Sequence, residues 1–306
     1  MKRSLRIVSR QSKLALWQAE FVQQKLQALH PNLPIEIIGI QSKGDKNVDI
    51  PLYEFGDKGV FVADLEGYLL NDTADIAVHS VKDMPNVLPK DLELAAILQR
   101  EDPREVFVSV EFPTLESLPA RAIIGTSSLT RQSQIRALRP DLSITFLRGA
   151  VDNRISQLQE GKYDAMILAV AGLKRLGLTE YIQQIFEPAQ LLPSVGQGAL
   201  GIECRKNDKA TKRLLQPLHH LPTARCVLAE RKMEQRLETG SELPIAGLAN
   251  ITPDGNLRLQ GLVASPDGRR ILKTSHHGKP DTLLTIGEIV AEQLIALGAH
   301  ELLCTS

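Results

Sequence analysis

Basic and hydroxyl side chains follow apolar, strand-like runs at three places in the chain. The three segments are Asp75–Pro85, Ala122–Gln132 and Ser143–Arg154, and their basic side chains are Lys82, Arg131, Arg148 and Arg154. Each segment leads into a loop that could start a helix, where free backbone N–H groups favour anions. In open α/β sheets, ligands bind beyond the carboxyl ends of the strands. The pattern therefore predicts a pocket for a small molecule with several carboxylates or phosphates.

The elements around these segments alternate between strand and helix. Leu5–Val8 reads as a strand, and apolar residues at helical spacing follow from a cap at Ser9 or Ser12 to His30. Further strands are predicted at Ile35–Ile40, Asp75–His79 and Leu92–Ile97, with a helix at Val60–Leu70. Gln41–Gly59 is polar and has no clear period, so it is interpreted as a long mobile loop that could serve as a lid.

Breaks in this alternation suggest three domains. Alternation from Ala122 to about Leu176 indicates parallel sheets covered on both faces. Glu101–Pro103 and Leu192–Gly198 mark two chain crossings, and short runs joined by Pro-Asp-Gly turns begin after Leu221, before a final helix at Asp281–Leu297. We expect one α/β domain at residues 1–98 with 199–216, a second at 104–192 and an α+β domain at 221–306.

Composition narrows the class of protein. The 306 residues carry 36 basic and 36 acidic side chains, so no overall field favours nucleic acid or a membrane surface. There is no signal-peptide pattern at the N-terminus and no apolar run long enough to span a bilayer. Three widely spaced cysteines argue against a disulfide framework or a metal site. A soluble, cytoplasmic protein is expected.

Long motifs resemble one family, the porphobilinogen deaminases or hydroxymethylbilane synthases. They are SRQSKLALWQ (9–18), GDKGVF (56–61), DIAVHSVKDMP (75–85), REDPRE (100–105), GTSSL (125–129), LRG (147–149), YDAMILAVAGLKRLGL (163–178) and LPSVGQGALGIECR (192–205). The resemblance runs from about Leu5 to Leu303. It implies two domains like those of type II periplasmic binding proteins, a cleft between them, and a small third domain.

The resemblance also implies a reaction and a set of site residues. Family members join four porphobilinogen units head to tail, release ammonia, and start from a dipyrromethane primer held by a cysteine thioether. Asp83 would be catalytic, because a fixed carboxylate opposes the positive charge that develops as ammonia leaves the aminomethylpyrrole; from the residues alone it could instead cap a helix. Lys58 and Phe61 would belong to the lid. The substrate-binding positions are Arg10, Ser12, Ser80, Lys82, Thr126, Ser127, Ser128, Arg131, Arg148, Arg154, Arg175 and Gln197.

Guanidinium groups suit the acetate and propionate groups of pyrroles because they stay charged and bind a carboxylate through two N–H groups. For single members of this set other roles stay open. Arg175 could simply favour a helix C-terminus, and Gln197, in the sequence VGQG, could be part of a structural turn or a hinge.

The chain departs from the family pattern at positions that would take part in primer attachment and substrate binding. Ser241 occupies the position of the primer-attachment cysteine, and a serine hydroxyl is a far weaker nucleophile than a thiolate. Thr130 replaces one arginine of a pair, Ala150 replaces an asparagine, and Asp152 adds a negative charge between Arg148 and Arg154.

Two functions follow from these features, and a third is weaker. The first is a porphobilinogen deaminase that uses a primer held without a thioether. The second is a binding module for pyrrole or bilane carboxylates that has lost turnover. A periplasmic solute-binding protein would share the fold, but the missing signal pattern disfavours it. A monomer with no nucleic-acid or membrane partner is expected in each of the first two cases.

Overall fold

The computed structural model describes residues 4–46, 58–237 and 244–304. The chain divides into two compact units, Met1–Arg100 with Ala199–Ala224 and Glu101–Gly198 with Arg225–Ser306, and each is described by itself. Within the described residues, no helix combines the length and the apolar character needed to cross a bilayer.

The described strands and helices have the following bounds. The strands are β1 Leu5–Arg10, β2 Ile35–Ile40, β3 Ile76–Ser80, β4 Leu92–Ile97, β5 Glu105–Val108, β6 Ile123–Gly125, β7 Ser143–Thr145, β8 Ala165–Ala169, β9 Gln184–Ile185, β10 Leu200–Arg205, β11 Ile245–Ile251, β12 Leu257–Ala264 and β13 Ile271–Gly278. The helices are α1 Lys13–Leu29, α2 Lys43–Lys46, α3 Ala63–Leu70, α4 Leu129–Leu138, α5 Val151–Gln159, α6 Val170–Leu176, α7 Lys209–Leu215, α8 Leu221–Leu237, α9 Leu283–Ala296 and α10 Ala299–Cys304.

The first unit is built on a five-stranded sheet in the order β2-β1-β3-β10-β4. β1 runs parallel to both β2 and β3, whereas β10 runs antiparallel to β3 and β4. Helix α1 begins at the predicted cap Ser12 and ends before His30, and its buried face packs on Ile7, Ile76 and other strand residues. Polar groups that follow β1 and β3 therefore lie at the same edge of the sheet.

The second unit contains a sheet of the same order, β7-β6-β8-β5-β9. β6 runs parallel to β7 and β8, and β5 is the antiparallel strand. In both sheets the antiparallel strand is the one that enters directly after a chain crossing. This repeated order belongs to the α/β class of type II periplasmic-binding-protein-like domains, and the expected fold class is confirmed. The sheets are mixed, however, and not wholly parallel as expected.

A three-stranded antiparallel sheet, β11-β12-β13, also lies in the second unit. Its residues share one core with α8 and α9 that includes Met233, Leu259 and Val290. Both predicted Pro-Asp-Gly turns are present, and their glycines adopt positive φ angles of 82° at Gly255 and 72° at Gly268. The α+β character expected for this part of the chain is therefore observed.

Helix α8 was not expected, because charged residues interrupt its apolar pattern. The helix begins at Leu221, where the sequence suggested only a change of character. Glu230 is fully buried and accepts hydrogen bonds from the backbone N–H groups of Gly196 at 2.8 Å and Ala249 at 2.7 Å. A buried carboxylate used in this way reads as a surface residue in the sequence.

Two further expectations need correction. The segment after β3 forms only a 3-10 turn at Val81–Asp83, so Lys82 does not lie at the N-terminus of an α-helix. Pro85 follows this turn and has no N–H group to continue a helix. The polar segment 41–59 was interpreted as a loop throughout, but α2 occupies Lys43–Lys46 and a 3-10 turn occupies Lys58–Phe61. Residues 47–57 of the segment predicted to form a lid, Gln41–Gly59, lie outside the described residues.

Candidate substrate-binding site

Five predicted site residues line one pocket of the first unit. The space between the pocket walls, including the part that is open to solvent, is about 390 Å³. The predicted residues in its wall are Arg10, Ser12, Phe61, Ser80 and Asp83, and the wall also contains Leu14, Ala15, Gln18, Val62, Val78 and His79. A carboxylate, a guanidinium and two hydroxyls thus surround a partly apolar space.

The sheet edge positions these side chains. Ser12 caps α1 by accepting a hydrogen bond from the backbone N–H of Ala15 at 3.3 Å. Ser80 is the last residue of β3, and its Oγ accepts from Nε2 of the buried Gln18 at 2.9 Å. Asp83 follows in the 3-10 turn, where its side chain is half-buried and reaches the same pocket. Lys82 lies in that turn beside Asp83 but does not line the pocket.

Arg10 is held at the pocket wall by two contacts. Its guanidinium lies 4.0 Å from the centre of the Phe61 ring, in a cation–π arrangement. Its Nε and Nη2 atoms also donate to the carboxylate of Asp45, with Nε 3.0 Å from Oδ2. Burial alone would raise the pKa of Asp45, but the hydrogen bonds from Arg10 and Ser42 outweigh it and lower that pKa. The Arg10 cation is therefore already paired with an internal carboxylate.

Hydroxyl groups of the second unit gather where β6 leads into α4. Ser128 caps α4 by accepting from the backbone N–H of Arg131 at 3.3 Å, and Thr126 Oγ1 accepts from the N–H of Ser128 at 3.2 Å. Ser127 lies between them and is half-buried. This strand-to-helix junction has the predicted form, and a helix N-terminus favours an anion there.

Arg131 makes an internal ion pair. Its Nε and Nη2 atoms donate to the two carboxylate oxygens of Glu105 at 3.1 and 2.8 Å, and both side chains are buried. Two of its donor groups are thus used within the protein, and a role in substrate binding stays a prediction. Thr130, also buried, donates from Oγ1 to the backbone carbonyl of Ile245 at 3.1 Å. This residue links α4 to the start of β11.

Arg148 and Arg154 flank the junction of β7 and α5. Arg148 is buried, and Gly149 after it adopts a φ angle of 113° that a side chain would strain. Arg154 Nε donates to the carbonyl of Gly149 at 2.8 Å, so the turn and the helix are tied together. Ala150 offers no side-chain cap to α5, and Asp152 in its first turn supplies the negative charge that a helix N-terminus favours.

Arg175 and Gln197 lie at the chain crossings of the second unit. Arg175 Nη2 donates to the carbonyl of Gly198 at 2.7 Å, and burial lowers the pKa of its guanidinium to about 10. Gln197 Nε2 donates to the carbonyl of Pro103 at 2.8 Å. A Cβ atom at Gly198 would come within 2.4 Å of the Glu101 carbonyl oxygen. Both predicted binding residues thus stabilise a tight crossing of two segments.

Several sequence predictions have only a partial structural account. The backbone of Lys58 lies in the 3-10 turn before α3. Ser241, the attachment position, lies outside the described residues. Cys204 and Cys226 are buried in separate cores, and burial raises the pKa of Cys204 to about 12. In the described ranges no group of three or more His, Cys, Asp or Glu side chains is arranged to hold a metal ion.

Two family models match nearly the whole chain. The dipyrromethane cofactor binding domain of porphobilinogen deaminase matches residues 5–213, and the C-terminal domain of porphobilinogen deaminase matches residues 224–296. The chain belongs to the porphobilinogen deaminase family. Porphobilinogen deaminases are transferases of tetrapyrrole biosynthesis. The pocket around Asp83 lies within the residues that the first of these models matches.

Solved structures similar to this chain come from bacterial binding proteins. A putative methionine-binding lipoprotein from Bacillus subtilis subsp. subtilis str. 168 is 13% identical, with a TM-score of 0.45 over 72% of this chain and 91% of that chain. A periplasmic substrate-binding protein of an ABC transporter from Coxiella burnetii is 14% identical, with a TM-score of 0.44 over 74% of this chain and 95% of that chain.

The described residues fit only part of what the family's dipyrromethane cofactor needs. In the pocket around Asp83, the Arg10 guanidinium and the hydroxyl groups of Ser12 and Ser80 are of the kind that bind its carboxylates. The thioether needs a reactive thiol, and the chain has serine at position 241, whereas Cys204 and Cys226 are buried. The donor set therefore does not fit covalent attachment through these cysteines.

Three polar residues in or next to the pocket wall were not predicted from the sequence. Gln18, His79 and Asp45 either line the pocket or hold a residue that does. His79 lies in the motif DIAVHSVKDMP, and a polar residue within an otherwise apolar strand is a signal that could have identified it. Asp45 gave no signal, because the pairing depends on the local fold of the segment that contains α2.

Proposed function

We propose that the protein is a porphobilinogen deaminase-type transferase, which condenses porphobilinogen into hydroxymethylbilane with loss of ammonia. One observation carries this proposal: the carboxylate of Asp83 lines the same pocket as Arg10, Ser12 and Ser80. A pyrrole with acidic side chains and a cationic aminomethyl group presents both kinds of charge that such a wall would bind.

The chemistry asked of Asp83 is electrostatic. When the bond between the aminomethyl carbon and nitrogen breaks, ammonia leaves with the electron pair and positive charge spreads over the pyrrole as an azafulvene. A carboxylate already fixed beside the ring stabilises this charge without reorganisation of solvent. Arg10 and the hydroxyl groups would orient the ring through its carboxylates, and positioning of this kind lowers the barrier further.

A second candidate is a protein that binds pyrrole or bilane carboxylates without turnover. The observation that favours it is the use of Thr130 for an internal hydrogen bond at a position where the family has arginine. Asp152 near Arg148 and Arg154 would also repel substrate carboxylates. Ser241 would leave any primer without a stable covalent link, because a serine hydroxyl attacks the azafulvene carbon far more weakly than a thiolate does.

We further propose that the protein acts in the cytoplasm as a monomer on small-molecule pyrrole carboxylates. The balanced content of 36 basic and 36 acidic side chains supports the absence of a nucleic-acid or membrane partner. Size-exclusion chromatography with light scattering tests the monomer.

The decisive experiment measures turnover and attachment on the same preparation. Protein made in cells that lack their own deaminase would be incubated with porphobilinogen, and ammonia release and bilane formation would be followed. Asp83→Asn should abolish both, whereas Asp91→Asn, which alters an exposed carboxylate before β4, should change neither. Porphobilinogen binding by calorimetry, without product, would favour the second candidate.

Intact mass of the denatured protein tests the attachment separately. We expect the mass of the unmodified chain. A mass excess of two pyrrole units would show a covalent primer and would contradict the role assigned to Ser241.

A further inference from the structure

A buried histidine in the pocket wall, His79, contacts a buried glutamate, Glu203. Nε2 of His79 is 3.0 Å from Oε2 of Glu203, and the two side chains have exposed fractions of 4% and 0%. His79 pairs with Gly201 across the β3–β10 ladder, and Glu203 lies two residues further on the same face.

Two features indicate that this pair is more than core packing. Oε1 of Glu203 is buried and has no hydrogen-bond partner within the described residues, which is costly for a carboxylate. The register of β10 against β4 also shifts between Ile202 and Glu203. Irregularities of this kind re-aim side chains and occur frequently beside active sites.

The contact with Glu203 determines what His79 can offer to the pocket. An ionised carboxylate only accepts hydrogen bonds, so Nε2 carries the hydrogen. In a neutral imidazole the other nitrogen, Nδ1, is then an acceptor. His79 lines the pocket beside Ser80 and Asp83, and Nδ1 makes no hydrogen bond to a described residue.

We propose that His79 is a specificity-determining residue, which accepts a hydrogen bond from a donor group of the ligand through Nδ1. Glu203 is the positioning residue that holds the ring and its tautomer. The inference rests on the proposed function, because the matching donor is the aminomethyl ammonium of porphobilinogen. The pocket wall also contains the charged groups of Arg10 and Asp83. Arg10 would bind carboxylates, and His79 would add to Asp83 a neutral acceptor for the cationic end.

Two substitutions separate the two nitrogens of the ring. His79→Gln places an amide near the position of Nε2, so it keeps a donor for Glu203 and loses the acceptor in the pocket. His79→Asn, the matched control, places an amide near the position of Nδ1 and can keep an acceptor there. Calorimetry would compare porphobilinogen with an analogue that carries methyl in place of aminomethyl.

We expect His79→Gln to weaken porphobilinogen binding about tenfold or more, as for a lost hydrogen bond to a charged group. Binding of the methyl analogue should stay within about twofold, and His79→Asn should retain more porphobilinogen affinity than His79→Gln. Nitrogen NMR of the histidine rings should show an unprotonated Nδ1 that shifts when porphobilinogen is added, and Glu203→Gln should remove the single tautomer.

The outcomes separate this inference from the proposed function. An equal loss of both ligands in His79→Gln, or no loss at all, would refute the inference alone, and so would a protonated Nδ1 in the free protein. If the unaltered protein binds neither pyrrole, the proposed function fails and the inference falls with it. Thermal unfolding of each variant shows whether any loss reflects folding.

Discussion

The buried pair of Glu105 and Arg131 offers the sharpest test of how the second unit is stabilised. Glu105 lies on β5 with 1% of its surface exposed and Arg131 on α4 with 7%, and two hydrogen bonds of 3.1 and 2.8 Å join them. Glu105→Gln keeps the shape but removes the charge, so the guanidinium loses its ionic partner in a buried site. Breaking a buried pair in this way costs about 3–5 kcal/mol of unfolding free energy.

Urea denaturation followed by circular dichroism measures the cost directly. The double variant Glu105→Gln with Arg131→Met should recover much of the loss, because the unpaired charge is then absent. Glu292→Gln is a matched control, since it breaks the exposed pair with Arg236 on α8 and α9 and should cost less than about 1 kcal/mol. A loss below about 1 kcal/mol for Glu105→Gln would refute this account of the pair.

Three further outcomes are expected. Arg148→Ala should weaken binding of a carboxylated pyrrole by about 1.5–3 kcal/mol in calorimetry, and unchanged affinity would remove Arg148 from the site. Asp45 has a lowered pKa when folded, so its contribution to stability is complete well above the ordinary value of 3.8 and is lost as the pH falls through the lowered pKa. Asp45→Asn should therefore flatten the acid side of a plot of melting temperature against pH, and an unchanged plot would contradict the pairing with Arg10. Ser241→Cys should restore a mass excess of two pyrrole units if only the nucleophile is missing, whereas an unmodified mass would show that the cleft does not deliver the primer to this position.

The sequence predicted those elements whose apolar period continues without interruption. Helix α1 and its cap at Ser12 are confirmed, as is β4 at the predicted residues. Helix α8 escaped prediction because Glu230 uses its buried carboxylate to bind two backbone N–H groups. The direction of each strand was not predicted either, because the hydrophobic period of a strand does not show whether it follows a helix or a chain crossing.

Much the same division holds for the candidate site. The side chains that follow strand ends, such as Ser80 and Asp83, could be predicted because their place at the sheet edge depends on local order alone. The contact of His79 with Glu203 joins residues 124 positions apart and depends on the antiparallel pairing of β3 with β10. A pairing of that kind has no signature in either segment.

At least one replacement that departs from the family pattern, Thr130, has a role in packing as well as a possible effect on substrate binding. Thr130 is buried and donates to the carbonyl of Ile245, which lies four residues after Ser241 at the start of β11. An arginine side chain in that space would either displace β11 or bury an unpaired charge, and both would lower the stability of the fold. Reversal of Thr130 to arginine would therefore disturb the strand that follows the attachment position. A change at Ser241 alone keeps the Thr130 side chain, and with it the hydrogen bond between α4 and β11.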